Sequence, residues 1–305
     1  MNTKRILICA LLLSSIQTWT VEEESISLPN EPFKVGNFAN LLWPSNAFGF
    51  GEFIFNKGTI APYLSMLHTK NENQYSTELI LQTGYGITNI VSLLVSLPIT
   101  VNARSQGSLG FGNLELQCKF TPQGVGDLEV QFEWAFYQKA STGSFTQATI
   151  VSNVTFPTGN FCPTIGLSPG QGAYSLFFGA TLSHTSDNWY AYLSDGISIA
   201  IPRNHIQIGN TVFYEGGIGR NLGNPWGTTL LALLEFNGVY IQKNKFCCLN
   251  NPNSGSNTIF LGPTMCWSIK NTQFFGGVQF PAYQHLNGIQ PKQKYRLIFN
   301  AIAAF

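Results

Sequence analysis

Along most of this chain apolar and polar residues alternate one by one, the period at which successive side chains of a β-strand point to opposite faces. The clearest run is Asp127 to Tyr137, with Leu128, Val130, Phe132, Trp134 and Phe136 on one face and Asp127, Glu129, Gln131, Glu133 and Tyr137 on the other. The last eleven residues repeat the pattern: Tyr295, Leu297, Phe299, Ala301, Ala303 and Phe305 share one side, and Arg296, Ile298, Asn300, Ile302 and Ala304 the other. Strands are expected within Thr59 to His68, Ser76 to Gly86, Ile90 to Thr100 and Asp127 to Tyr137, and near 146–157, 173–185, 188–201, 210–221, 228–242, 256–270, 272–283 and 293–305. That makes about twelve.

The connections between these runs alternate in length. Ile87-Thr-Asn89, 138–145, Ser186-Asp-Asn188, Gly223-Asn-Pro-Trp226 and Asn271 are short, whereas 101–126, 158–172, 202–209, 243–255 and 284–292 are longer and rich in Gly, Pro, Asn or Ser. Thr69 to Gln74 is expected to be a polar loop. Twelve strands place every long connection at one end. Fourteen is the runner-up count, because Phe111 to Gln117 nearly repeats Val125 to Gln131 and Phe48 to Phe55 alternates weakly, but it puts the long 101–110 connection among the short turns.

Composition decides which face meets what. Charged residues are 10% of the chain and aromatics 13%, with apolar residues at 44%, so charge is well below the usual ~25% while apolar content is ordinary. A soluble protein would need that charge on its surface, but a barrel whose outer face meets lipid does not. No run beyond the amino terminus approaches the ~18 apolar residues of a spanning helix, and hydrocarbon has no partner for the backbone of an open sheet. The expected fold is therefore all-β, a transmembrane antiparallel up-and-down β-barrel.

The amino terminus reads as an export signal: Met1-Asn-Thr-Lys-Arg5 is basic and Ile6 to Ile16 apolar, with cleavage expected near Thr20. Residues 21–46, with Pro29, Pro32 and Pro44, form either a periplasmic lead-in or a lumen plug, and 47–305 the barrel. The aromatic carboxy-terminus on an apolar strand resembles the assembly signal of bacterial outer-membrane barrels. On that likeness Tyr295, Leu297, Phe299 and Phe305 would be read by the barrel-assembly machinery, and the location is the bacterial outer membrane.

By strand parity the lumen is expected to carry Glu78, Gln82, Glu129, Gln131, Glu133, Asn153, Glu215, Glu235, Asn237 and Arg296. Glu215 and Glu235 flank the turn near Asn224 at similar distances, which predicts that they approach each other, with Arg296 as the inward cation. Two readings stay open: a selective, electronegative constriction, or a hydrogen-bonded network filling a narrow barrel. Export permits disulfides, and Cys162 could bridge to Cys247 or Cys248 between loops. The four His at 68, 184, 205 and 285 lack ligand spacing, so neither a metal nor a cofactor is expected. His184-Thr-Ser186 falls at a turn, and no enzyme is expected. A net charge of +1 suggests no nucleic-acid partner.

Glu78-Leu-Ile-Leu-Gln-Thr-Gly-Tyr-Gly-Ile-Thr-Asn89, Leu93-Leu-Val-Ser-Leu-Pro98, Gly126-Asp-Leu-Glu129, Thr155-Phe-Pro-Thr-Gly159 and the final strand together resemble the outer-membrane transporter family associated with the meta-pathway of phenol degradation. The likeness spans most of the chain beyond the export signal, and its motifs are turn and strand-start signatures. It implies a channel or transporter for small, apolar or aromatic molecules, distantly like the fatty-acid and aromatic-hydrocarbon channels. A structural or adhesive barrel acting through its loops, and a hydrolase, are the other classes. Deleting Phe305 is expected to lower the amount of folded, heat-modifiable barrel recovered from outer membranes; an unchanged yield would refute its role in assembly.

Overall fold

The computed structural model describes residues 50–305 apart from 52, 73, 106–122, 162–168, 187, 204–205 and 224–227. The proposed export signal and the 21–46 segment lie outside the described residues, as do Cys118, Cys162 and the repeat at 111–117.

Twelve long strands follow one another, in chain order β1 (Ile60–Asn71), β2 (Gln74–Thr88), β3 (Val91–Ser105), β5 (Leu128–Ser141), β6 (Ser144–Phe156), β7 (Ser175–Ser186), β8 (Trp189–Ala200), β10 (Thr211–Gly223), β11 (Thr229–Ile241), β14 (Ser256–Ile269), β15 (Thr272–Leu286) and β16 (Gln293–Ala303). Each pairs antiparallel with its sequence neighbour, and β16 returns to pair with β1, from Tyr63 opposite Ile302 to Asn71 opposite Gln293. The sheet is a closed barrel. Two further backbone bonds finish the seam, Ile60 N to Phe305 O at 3.0 Å and Phe305 N to Ile60 O at 2.9 Å.

Four two-residue strands decorate one end. β4 (Gly124–Val125) pairs with Ile99 and Thr100 of β3, and β9 (Ile206–Gln207), β12 (Lys245–Phe246) and β13 (Leu249–Asn250) make a small sheet from two of the longer loops. The long connections share this loop end, and the short ones share the opposite, turn end.

Alternation explains the wall. On β5, Phe132, Trp134 and Phe136 are exposed while Glu133 is fully buried. On β8, Leu193 is 61% exposed while its neighbour Ser194 is buried. The same inversion recurs at Leu64 against Ser65, Leu234 against Glu235 and Phe299 against Asn300. Large apolar side chains thus cover the outer surface and polar ones the interior, which suits hydrocarbon outside and is untenable in water.

The structure also departs from the sequence expectations at definite places. The strands run further than their alternation shows: β1 reaches Asn71 and β2 starts at Gln74, so most of the expected 69–74 loop is strand. The expected 138–145 connection shrinks to Thr142 and Gly143, because β5 and β6 stay paired through Ser141 and Ser144. Tyr137, assigned by parity to the polar face, is exposed beside Phe136, because a bulge between Ala135 and Tyr137 shifts the register by one residue and flips every side chain beyond it. The described part of Phe48 to Phe55 forms no strand.

An arginine at Leu193, near the middle of β8 on the outer face, should cost about 2–4 kcal/mol of barrel stability. Urea unfolding in lipid vesicles should show this as a lowered midpoint. No change would refute the membrane assignment of that face.

Candidate functional site

The barrel interior is built in two layers. At the turn end it carries an apolar and aromatic cluster, with Leu94, Tyr190, Tyr192, Leu231, Phe275 and Ile302 buried together, while Ser92, Thr229, Ser268 and Gln273 are buried at the same ends of their strands. The cluster positions sit on the inward parity of strands that carry apolar residues on both faces near the turns, so the two alternating faces do not contrast there. Above this cluster, toward the loop end, lies the polar layer.

Glu235 accepts hydrogen bonds from Tyr192 Oη at 2.8 Å and from Thr264 Oγ1. Glu215 accepts from Asn237 Nδ2 at 2.6 Å and from the backbone N of Phe50 at 3.0 Å. Glu133 accepts from Gln131 Nε2 at 2.7 Å and from the backbone N of Phe53 at 2.8 Å. All three glutamates are buried. Glu129 accepts from Asn153 Nδ2 at 3.3 Å. Arg296 donates to Asn237 Oδ1 at 2.8 Å and to Gln279 Oε1 at 3.3 Å, and its guanidinium lies 3.5 Å from the centre of the Phe260 ring. Such stacking leaves the edge of the guanidinium for hydrogen bonding. Glu78 and Gln82 lie partly buried on the inward parity of β2.

Glu215 and Glu235 do not face each other. The register sets Glu215 opposite Asn237 and Glu235 opposite Gly217, so the carboxylates are diagonal neighbours, and each is met by hydroxyl, amide or backbone donors of its own.

The residues that sequence reasoning did not find belong to the segment preceding β1. Its described part, from Phe50 to Lys57 with residue 52 left aside, runs inside the barrel from the turn end. Lys57 N bonds Asn89 Oδ1 at 3.0 Å, Phe55 N bonds Ser92 Oγ at 2.8 Å, and the Phe50 carbonyl accepts from Thr181 Oγ1 at 2.9 Å. With Glu133 and Glu215, these partners come from β3, β5, β7, β10 and the β2–β3 turn. The barrel wall makes room for it: a Cβ on Gly84 would overlap the Phe55 ring, and one on Gly86 the Asn56 carbonyl. A glycine on the inward face of a strand signals a close backbone approach, and the Thr83-Gly-Tyr-Gly86 run carried that signal.

The His184–Ser186 pair is not assembled as a catalytic site, and the expected partner of Cys247 or Cys248, Cys162, lies outside the described residues. His184 Nδ1 lies 2.8 Å from Thr146 Oγ1, and Ser186 Oγ is engaged with the backbone of Trp189, so base and hydroxyl are each used locally. Cys247 and Cys248 are exposed, unbonded thiols in the turn between β12 and β13.

A family model described as the MetA-pathway of phenol degradation matches residues 45–284. The chain belongs to this family. Its fold matches an outer membrane channel from Pseudomonas putida F1, with a TM-score of 0.65 at 16% identity, covering 87% of this chain and 100% of that one. The beta domain of the Bordetella autotransporter BrkA gives 0.45 at 9% identity over 82% of this chain and 100% of that one, and the P. putida toluene transporter TodX 0.30 at 9% over 81% and 87%. No curated protein matches the sequence. Of the motifs carrying the likeness to this phenol-degradation family, Gly84 and Gly86 face the internal segment, and Asp127 accepts from Gly159 N at 2.9 Å and Gln171 N at 2.5 Å, tying both residues to the barrel.

Replacing Tyr192 by Phe removes a donor to buried Glu235 while keeping the ring, and should destabilise the barrel by about 1–3 kcal/mol. Thermal unfolding followed by gel mobility should show the loss; an unchanged transition would mean that this bond contributes nothing.

Proposed function

We propose that this protein is an outer-membrane channel for small molecules, and that the molecules are apolar or aromatic. The observation that carries the reading is the interior itself, a closed, inside-out barrel whose turn half is lined by Tyr190, Tyr192, Phe275, Leu231 and Leu233. A planar ring loses its water shell against such a lining at little cost, and edge-to-face contacts add to the burial. Sugars would keep fewer of their hydrogen bonds there than in water. The fold match to an outer membrane channel and the family's phenol-degradation description both support this reading. On it, the turn end faces the periplasm and the loop end the exterior, the outer wall contacts lipid, and assembly uses the barrel-insertion machinery.

A second reading, a barrel that acts through displayed loops, draws support from the filled lumen and from the exposed β12–β13 hairpin, where Leu249 is 75% exposed. Uptake separates the two. Porin-deficient cells carrying the folded barrel should take up labelled phenol several times faster than cells without it, with glycerol uptake changed less. Equal phenol uptake in the two cell types would reject the channel, and equal acceleration of both solutes would reject the aromatic preference.

A further inference from the structure

On β1, β2 and β16 the outer wall changes character near the loop end. Its outward positions are apolar through Leu64, Leu81, Met66, Phe299 and Leu297, all well exposed, and then give way to His68, Lys70, Tyr75 and Tyr295. Lys70 lies opposite Tyr295 in one ladder and opposite Tyr75 in the other, so the three form a row across the closing seam. The row faces outward, because the adjoining pair in the seam, Thr69 and Arg296, sends its arginine into the lumen. The Lys70 ammonium stands 5.5 Å from the centre of the Tyr75 ring. The His68 ring lies 6.3 Å from Tyr75 and 6.1 Å from Tyr295, and its Nδ1 is 2.8 Å from Thr77 Oγ1. Among the described residues, neither His68 Nε2 nor Lys70 Nζ has a hydrogen-bond or ion-pair partner. A bulge beyond the Lys70–Tyr295 pair leaves Lys294 out of the ladder and exposed. The acid that follows β1, Glu72, is turned to the Lys292 amide at 3.4 Å.

Further toward the turn end the same strands carry a hollow of about 680 Å³, whose lining includes Leu64, Leu81, Val95, Ala301 and Ala303. Their outward parity puts the hollow in the lipid-facing surface, where the two alanines leave room beside the leucines. From Lys70 down to Leu64 is a run of ~20 Å along an extended strand, and Met66, Leu297 and Phe299 make it apolar throughout. A charged, aromatic head site and an apolar tail site thus lie on one track.

We propose that this sector binds one phosphorylated glycolipid of the outer leaflet. Lys70 and Lys294 take the headgroup phosphate through charge-assisted hydrogen bonds, and Tyr75, Tyr295 and His68 receive the sugar, whose C–H faces pack on rings while its hydroxyls reach the ring heteroatoms. An acyl chain runs down over Met66 and Leu297 into the hollow. Bound in this way the lipid bridges β1 and β16, the pair on which closure of the barrel depends, and stabilises the folded state by mass action. The inference rests on the orientation in the channel reading above, with the loop end outside.

The test uses the full-length protein in detergent micelles, with diphosphoryl lipid A as probe and phosphatidylglycerol and inorganic phosphate as comparisons. Wild type should retain one lipid A in native mass spectrometry, and added lipid A should raise its heat-modifiable transition. Lys70→Gln with Lys294→Gln should weaken that binding about tenfold or more, the factor expected for losing hydrogen bonds to a charged group. Arg220→Gln, which removes the cation over Trp189 at the opposite boundary, should leave it unchanged. Equal affinity of the double variant and wild type would overturn the site. So would phosphatidylglycerol binding as tightly, which would mean attraction to any anionic lipid, or inorganic phosphate displacing lipid A at equal concentration, which would mean a free-phosphate site. Should the double variant not fold, acetylation of wild type decides: lipid A should shield Lys70 and Lys294 and leave exposed Lys270, in the β14–β15 turn, reactive, and absence of shielding would overturn the proposal. Orientation is read separately with a membrane-impermeant maleimide on intact, reduced cells, since Cys247 and Cys248 are exposed at the loop end. Thiols that label in intact cells while lipid A binding fails overturn the lipid site alone; thiols that label only after lysis overturn the orientation and the site with it. Neither result touches phenol uptake, which decides the channel.

Discussion

Pairing of every backbone amide and carbonyl in a medium without water is the constraint from which the rest of this structure follows. It demands a closed sheet, and closure falls on the seam between β1 and β16, where the two termini of the barrel meet. The pair Ile60 and Phe305 completes that seam at the turn end. Phe305 therefore contributes its backbone to closure as well as an exposed ring.

The same constraint governs the interior. A barrel of twelve strands leaves space that side chains alone can fill, and here part of it is filled by chain. Residues that enter the lumen bring unpaired amides with them, and the inward carboxylates and hydroxyls of the wall answer them. The polar layer is thus built largely from mutual satisfaction: Tyr192 and Thr264 on Glu235, Asn237 on Glu215, Gln131 on Glu133, Asn237 and Gln279 on Arg296. Networks of this kind hold one arrangement well because each member lost leaves another without a partner in a low-dielectric site. The family likeness speaks to the barrel and its turns.

Position by position, strand existence is plain in the sequence, because an apolar exterior and a packed polar interior impose opposite polarities on adjacent residues. Leu193 and Ser194, or Leu234 and Glu235, state the orientation of their strands by themselves. Where both sides are apolar, as at Leu93 and Leu94, parity still places the residue but not its neighbours. The bulge at Ala135 to Tyr137 left no mark in the pattern, since an aromatic fits either the membrane boundary or a lumen wall.

What the sequence by itself determined was the local part: the positions and order of the long strands, the inward parity of Glu133, Glu215 and Glu235, and the alternation of short and long connections. These depend on a period of two and on turn chemistry, both of which act between near neighbours. Only the tertiary structure decided that Glu215 stands opposite Asn237 rather than opposite Glu235, and that Phe50 and Phe53 lie within the barrel against residues 80 or more positions away, as Glu133 lies from Phe53 and Glu215 from Phe50. Register across a turn and the path of an irregular segment are fixed by closure and packing, where partners distant in the chain compete for the same space, and no local pattern records the winner.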